Sequence, residues 1–297
     1  MKPPVDQLVD GRFRFRIDLA YDGTDYAGWA QQPDLPTIQG ELLAALQVIF
    51  GQSDDDFGMR VAGRTDAGVH ASHQVAHIDL SPEQVARSGR RQDFASRLSR
   101  LLPTAIQVYR FEPAPTGFDA RFSPTSRRYR YRIADRAATQ NPLRRHDTLW
   151  VFKPLDADLM ARAAGALIGL NDYAAYCRPR EGSTTIRRVI EITVKRIPEA
   201  DNVIEIELEA DAFCHNMVRA ITGALIKVGS GDLPSNRISE LLAGGVRTGE
   251  FKVVGPEGLT LIAVNYPPNE QLAAQAEATK NFRTVEEVES WWQEDAD

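Results

Sequence analysis

Between Arg12 and Tyr21 hydrophobic and polar residues alternate without interruption. Phe13, Phe15, Ile17, Leu19 and Tyr21 fall on one side, and Arg12, Arg14, Arg16 and Asp18 on the other. A period of two predicts a half-buried strand. The period then changes. Ile38, Leu42, Ala45, Leu46 and Ile49 recur at helical spacing, and Thr37 stands where an N-cap belongs. Met59 to Ala62 and Gln74 to Leu80 read as short strands flanking a glycine-rich loop. Ser81-Pro82 and Gln92 to Leu102 read as helix, and Ile106 to Phe111 as a further strand. The first half thus runs β-α-β-β-α-β.

The second half repeats that order. Arg127 to Ile133 predicts a strand, Asp156 to Leu170 a helix, and Ile186 to Ile197 and Val203 to Ala210 two alternating strands. His215 to Val228 predicts a helix with Met217, Val218, Ile221, Leu225 and Val228 inward, closed by Gly229. Ser235 is expected to cap a shorter helix to Ala243, and Thr260 to Tyr266 to close as a strand. Two α+β units of similar order suggest an old duplication, although no repeat is visible residue by residue. The expected division is 12–118, 119–268 and an acidic tail, 269–297. Pro267-Pro268 marks the expected end of the fold, and the tail reads as a solvated helix or a partly disordered appendage.

Composition adds bounds. Of 297 residues, 43% are hydrophobic and 26% charged, enough for a core of useful size. No run of 18 apolar residues occurs and the first eleven residues lack a signal-peptide core, so a cytoplasmic protein with no membrane partner is expected. Cys177 and Cys214 are the only cysteines. They lack metal or redox spacing, and a reducing compartment is the simplest setting. The net charge of −6 argues against nucleic acid until its location is considered. From Glu270 onward eight acids face two bases, so the other 269 residues sum to zero. Between Asp119 and Thr148 eight arginines stand against three aspartates, a local +5. A neutral body with one arginine-rich strip is compatible with a phosphate backbone.

The densest chemical signal is Gly63-Arg64-Thr65-Asp66-Ala67-Gly68-Val69-His70-Ala71, on an expected strand-to-strand loop. Taken alone it reads as a turn, because Asp and Gly are common turn formers. Two further segments shift the balance. One is Phe213-Cys214-His215-Asn216-Met217-Val218-Arg219 at a helix start. The other is Ala120-Arg121-Phe122-Ser123 followed by Arg127-Arg128-Tyr129-Arg130-Tyr131. His70, His73 and His77 invite a metal-site reading, but a strand spreads them apart and no H-E-x-x-H occurs. Structural or hydrogen-bonding histidines are favoured, with no metal.

Together these segments resemble the tRNA pseudouridine synthase A family. Its pattern also appears at Tyr21-Asp22-Gly23, at Gly28-Trp29 with Gln31 and Gln32, at Thr37-Ile38-Gln39, and at Gly258-Leu259 and Tyr266-Pro267. The resemblance spans roughly Phe13 to Pro267 and omits the tail. It implies that Asp66 is the catalytic aspartate and that Arg64 enters the RNA to help displace the target base. It further implies that Tyr129 stacks on the uracil and Arg219 pairs with the aspartate. Asn216 departs from the pattern, since many members carry a second histidine there. His215 and Asn216 are accordingly read as shaping the helix start. For the fold, the resemblance implies two similar subdomains whose antiparallel sheets join around a central RNA-binding cleft. It also implies a homodimer, no cofactor, and as substrate the uridines 38, 39 and 40 in the anticodon stem-loop of tRNA.

The chemistry fits those roles. Forming pseudouridine breaks a C–N glycosidic bond, turns the uracil and rebonds it through carbon, with no redox change and no group donor. One ionised carboxylate serves as nucleophile at C1′ or as base at C2′. Burial disfavours its charge and a nearby arginine opposes that. Uracil delocalises negative charge, so the second carboxyl group that glycoside hydrolysis generally needs is dispensable. Tyr129 and Tyr131 alternate with Arg128, Arg130 and Arg132, so both tyrosines also suit a core. The arginines suit either solubility or phosphate contact. Glu205, Glu207 and Glu209 are expected to face solvent. Two rival readings are a catalytically silent RNA-binding module and a metal hydrolase built on the histidines.

Overall fold

The computed structural model describes residue 8 and residues 10–87, 93–179 and 184–280. Gln92 and the apolar tail residues Phe282, Val285, Val288, Trp291 and Trp292 lie outside these. The elements in order are β1 (Phe13–Tyr21), α1 (Ile38–Phe50), β2 (Arg60–Val61), β3 (His70–Leu80), α2 (Pro82–Arg87), α3 (Phe94–Leu101), β4 (Ile106–Pro113), β5 (Ser126–Ala134), β6 (Leu149–Trp150), α4 (Ala157–Ala164), β7 (Gly169–Asp172), β8 (Ile186–Ile197), β9 (Val203–Ala210), α5 (Met217–Gly229), α6 (Arg237–Gly244), β10 (Leu259–Asn265) and α7 (Leu272–Ala278). The chain is an α+β protein of two compact units, one built on residues 1–125 and 261–281, the other on 126–260.

In the first unit β1 lies between β3 and β4, antiparallel to both. β2 pairs antiparallel with the middle of β3, Val61 opposite Ala76. The alternation of β1 does what its period requires: Phe15, Ile17, Leu19 and Tyr21 are all buried. Thr37 caps α1 by accepting from Gly40 N–H at 3.2 Å, and Ile38, Leu42 and Leu46 bury the helix's apolar stripe. Phe50 and Phe111 stack at 5.7 Å, with Phe15 and Phe94 each 5.3 Å from Phe111.

In the second unit the order is β5-β9-β8-β7, with β6 added parallel to β5. Tyr131, Ile133, Ile204, Ile206 and Leu208 are buried on β5 and β9, as are Ile221, Leu225 and Val228 on α5. Asp156 caps α4 through Leu159 N–H at 2.8 Å. The helix expected to run to Leu170 ends earlier, at Ala164, followed by a 3-10 turn (Gly165–Leu167) and β7. The cause is local: Gly165 opens the tighter turn, and Gly169 has φ 109°, a conformation outside any helix. Ser235 does not cap α6; the capping position is Asn236, without a side-chain bond.

Structure also continues past Pro268. α7 buries Leu272 (2% exposed) and Ala276. Leu272 O accepts from Ser123 Oγ at 3.1 Å, and Gln275 Nε2 donates to Pro124 O at 3.3 Å. The start of the acidic tail is therefore docked, where the sequence suggested a solvated appendage. Its two apolar residues at i and i+4 supply the reason. A chain ending at Asn269 loses this burial, worth about 2 kcal/mol. Its Tm should fall by roughly 5 °C, whereas a chain ending at Lys280 keeps every described contact. An unchanged Tm for the shorter chain would contradict the docking.

Candidate active site

The loop from Ala62 to Val69 connects β2 to β3 and carries Arg64 and Asp66 together. Asp66 opens a turn in which Val69 N–H donates to Asp66 O at 3.2 Å. Gly68 takes φ 75° inside that turn, a value only glycine adopts without cost. Arg64 is exposed and Asp66 half-buried. Arg64 makes no hydrogen bond or ion pair among the described residues.

The loop is held from beneath by its neighbours in the first unit. Trp29 N–H donates to Thr65 O at 3.0 Å, and Gly68 N–H to Tyr26 O at 3.2 Å. Gly28 (φ 99°) admits this approach: a Cβ there would sit 2.8 Å from Thr65 O and 3.1 Å from the carbonyl carbon of Asp66. The Gly28-Trp29 pair thus has a packing reason tied directly to the aspartate's loop. Tyr21 Oη and Thr65 Oγ1 are 2.8 Å apart. Gln74 Nε2 donates to Tyr21 Oη at 3.2 Å and to Gly63 O at 2.8 Å. Burial pushes the Tyr21 phenol up to about 12, against the opposing bonds from Thr65 and Gln74.

The three histidines on β3 go separate ways. His70 Nδ1 accepts from Gly23 N–H at 3.0 Å, His73 lies 3.8 Å from Asp18, and His77 Nδ1 accepts from Ala120 N–H at 2.9 Å. Burial, then the charge of Arg14, holds His77 down at about 4. Among the described residues no group of three His, Cys, Asp or Glu is placed to hold a metal ion. The Ala120-to-Ser123 segment is a junction of the first unit. Asp119 Oδ1 accepts from Arg121 and Phe122 N–H at 2.8 and 3.0 Å, and Ala120 O accepts from Tyr266 Oη at 3.0 Å.

In the second unit Tyr129 is buried on β5, its ring edge-on to Phe213 at 5.0 Å and 85°. Arg219 lies on the first turn of α5. Its Nε donates to Val254 O at 2.8 Å and its Nη1 to Asn216 Oδ1 at 3.2 Å. Asn216 takes φ 67° at the N-cap, so it shapes the helix start and also orients the arginine. Tyr131 Oη donates to Gly255 O at 2.8 Å. A Cβ at Gly258 would press on the Tyr131 ring and lie 2.7 Å from Arg132 O.

Two expectations need correction. Glu205, Glu207 and Glu209 do not simply face solvent. They stand directly opposite Arg132, Arg130 and Arg128 in the β5–β9 register. They pair with those arginines at 2.7, 2.7 and 2.6 Å. The local +5 is therefore largely balanced from a strand 73 to 81 residues away in sequence, and β5 is no open phosphate strip. Cys177 and Cys214, far apart in sequence, are brought side by side with Cα atoms 5.7 Å apart. Their separation of 37 residues concealed this proximity. Tyr21 and Gln74 carry no charge and did not stand out in the sequence as supports of this loop. Gln74 is one of several polar residues on β3, beside Ser72, His73 and His77, and nothing in that pattern sets it apart.

The family model for tRNA pseudouridine synthase matches residues 163–267, placing the chain among enzymes of the pseudouridine synthase class. A protein of Leifsonia xyli subsp. xyli, named tRNA pseudouridine synthase A, is 48% identical over 292 residues, covering 94% of this chain and all of that protein. The protein of that name from Frankia casuarinae is 48% identical over 276 residues, covering 93% and 97% of the two chains. That from Bifidobacterium longum is 42% identical over 301 residues, covering 92% and 99%. The chain belongs to the tRNA pseudouridine synthase A family, whose members are isomerases.

Proposed function

We propose that the protein converts uridines 38, 39 and 40 of the tRNA anticodon stem-loop to pseudouridine, with Asp66 as its single catalytic carboxylate. The observation that carries this reading is the loop itself: a half-buried aspartate at the head of a glycine turn, its backbone fixed from below. The product has the atoms of the substrate. The N1–C1′ bond breaks, a C5–C1′ bond forms, the proton leaves C5 and N1 gains one. Asp66 begins this at C1′ or at C2′, and neither route needs a donor or an oxidant.

In this reading Arg64, exposed two residues before Asp66, enters the RNA as the target nucleotide leaves its stack, a movement costing a few kcal/mol. Tyr129 offers its ring to the freed uracil. Arg219 supports the charge on the carboxylate. The working protein is a cytoplasmic homodimer. A half-buried aspartate on a loop whose backbone is held at several points favours catalysis over a silent RNA-binding module, for which backbone contacts and stacking suffice. The test is a tRNA bearing uridine at 38, 39 and 40 beside one bearing cytidine there. Pseudouridine at those positions in the first and none in the second is expected. Modification elsewhere in both would contradict the assignment.

A further inference from the structure

Three buried polar side chains meet under the loop, and none has a role in the reaction described above. Tyr21 is 4% exposed at the end of β1, Thr65 6% exposed beside Asp66, and Gln74 0% exposed within β3. Both amide hydrogens of Gln74 are used, one on Gly63 O and one on Tyr21 Oη. Tyr21 Oη in turn shares a hydrogen bond with Thr65 Oγ1, in which either hydroxyl can donate.

We propose that Tyr21, Thr65 and Gln74 form a clamp that fixes the Gly63–Asp66 backbone, making Tyr21 and Gln74 positioning residues for the reaction. This rests on Asp66 being the catalytic carboxylate. The strands themselves do not need the clamp. β1 and β3 are joined by their own backbone register, from Phe13 opposite Leu80 to Leu19 opposite Gln74. The register shifts only between Leu19 and Tyr21, which is where the phenol turns toward the loop. A phenylalanine and a leucine would fill the same space without desolvating three polar groups. What the polar groups return is a fixed position for Gly63 O and Thr65 Oγ1, on either side of Arg64 and immediately before Asp66. Thr65 is further pinned by Trp29 N–H on its carbonyl, so its side chain and main chain are both held. A reacting group displaced by about 1 Å can lose on the order of 10²-fold in rate.

The experiment compares kcat, KM for tRNA, and Tm in Tyr21→Phe, Gln74→Leu, Thr65→Val and Thr65→Ser, with Asp66→Asn run alongside. Tyr21→Phe and Thr65→Val each remove one hydroxyl at nearly constant volume. Each should lower kcat by about 10- to 100-fold with KM within about twofold of wild type, and Thr65→Ser should regain most of the loss. The double variant Tyr21→Phe, Thr65→Val should be no slower than either single one, because both open the same clamp. Wild-type kcat in Tyr21→Phe and Thr65→Val, with Asp66→Asn inactive, overturns the clamp and leaves the catalytic reading standing. A loss confined to KM, or one that Thr65→Ser fails to recover, also overturns it. Wild-type turnover in Asp66→Asn would instead remove the reading on which the clamp depends.

Discussion

Replacing Asp66 with asparagine should lower turnover on the order of 10³-fold or more while tRNA affinity stays within a few-fold of wild type. The amide occupies nearly the same volume and keeps the turn, because the bond that closes it runs from Val69 N–H to the backbone carbonyl of residue 66. What is lost is the negative charge. An amide neither attacks C1′ nor takes a proton from C2′, and no second carboxylate is assigned to replace it. Single-turnover pseudouridine formation and filter binding of the same tRNA separate the two quantities. A mutant that binds and reacts like wild type would show that another group does the chemistry.

Arg219→Leu should lower turnover by about 10²-fold. The geometry of Arg219 is fixed, since its Nε donates to Val254 O and one Nη to Asn216 Oδ1. Asn216→Ala, which removes the second of these bonds, should therefore give a smaller loss of the same kind. Single-turnover rates measured beside tRNA affinity check both, and a loss confined to affinity would assign Arg219 to holding RNA instead.

Much of the fold was legible because its signals are local. The alternation of β1 and the stripe and cap of α1 are set by neighbours in sequence, and the structure follows both. The strand-to-strand position of the Asp66 loop was legible for the same reason. What escaped depends on partners distant in the chain. Arg128, Arg130 and Arg132 looked like a cationic strip until the register placed Glu209, Glu207 and Glu205 across from them. α7 looked like tail until Leu272 found Ser123 and a buried place. Helix α4 ran on in the hydrophobic pattern, because periodicity does not register the positive φ of Gly169. The same limit hid Tyr21 and Gln74. A tyrosine on an inward-facing strand position reads as core, and only coordinates show where its hydroxyl points. Charge counting along a segment thus overstated the openness of β5, and it understated how firmly uncharged groups hold the aspartate.

Without added cofactor or metal, this chain should rearrange a uridine of tRNA and leave its composition unchanged. Purified protein should be incubated with an unmodified tRNA transcript and a chelator, and the RNA digested to nucleosides for chromatography with mass detection. The expected result is an intact tRNA and a growing peak of uridine mass at the retention of pseudouridine, matched by an equal loss of uridine. Free uracil, strand cleavage, or an unchanged uridine peak with chelator present would contradict it.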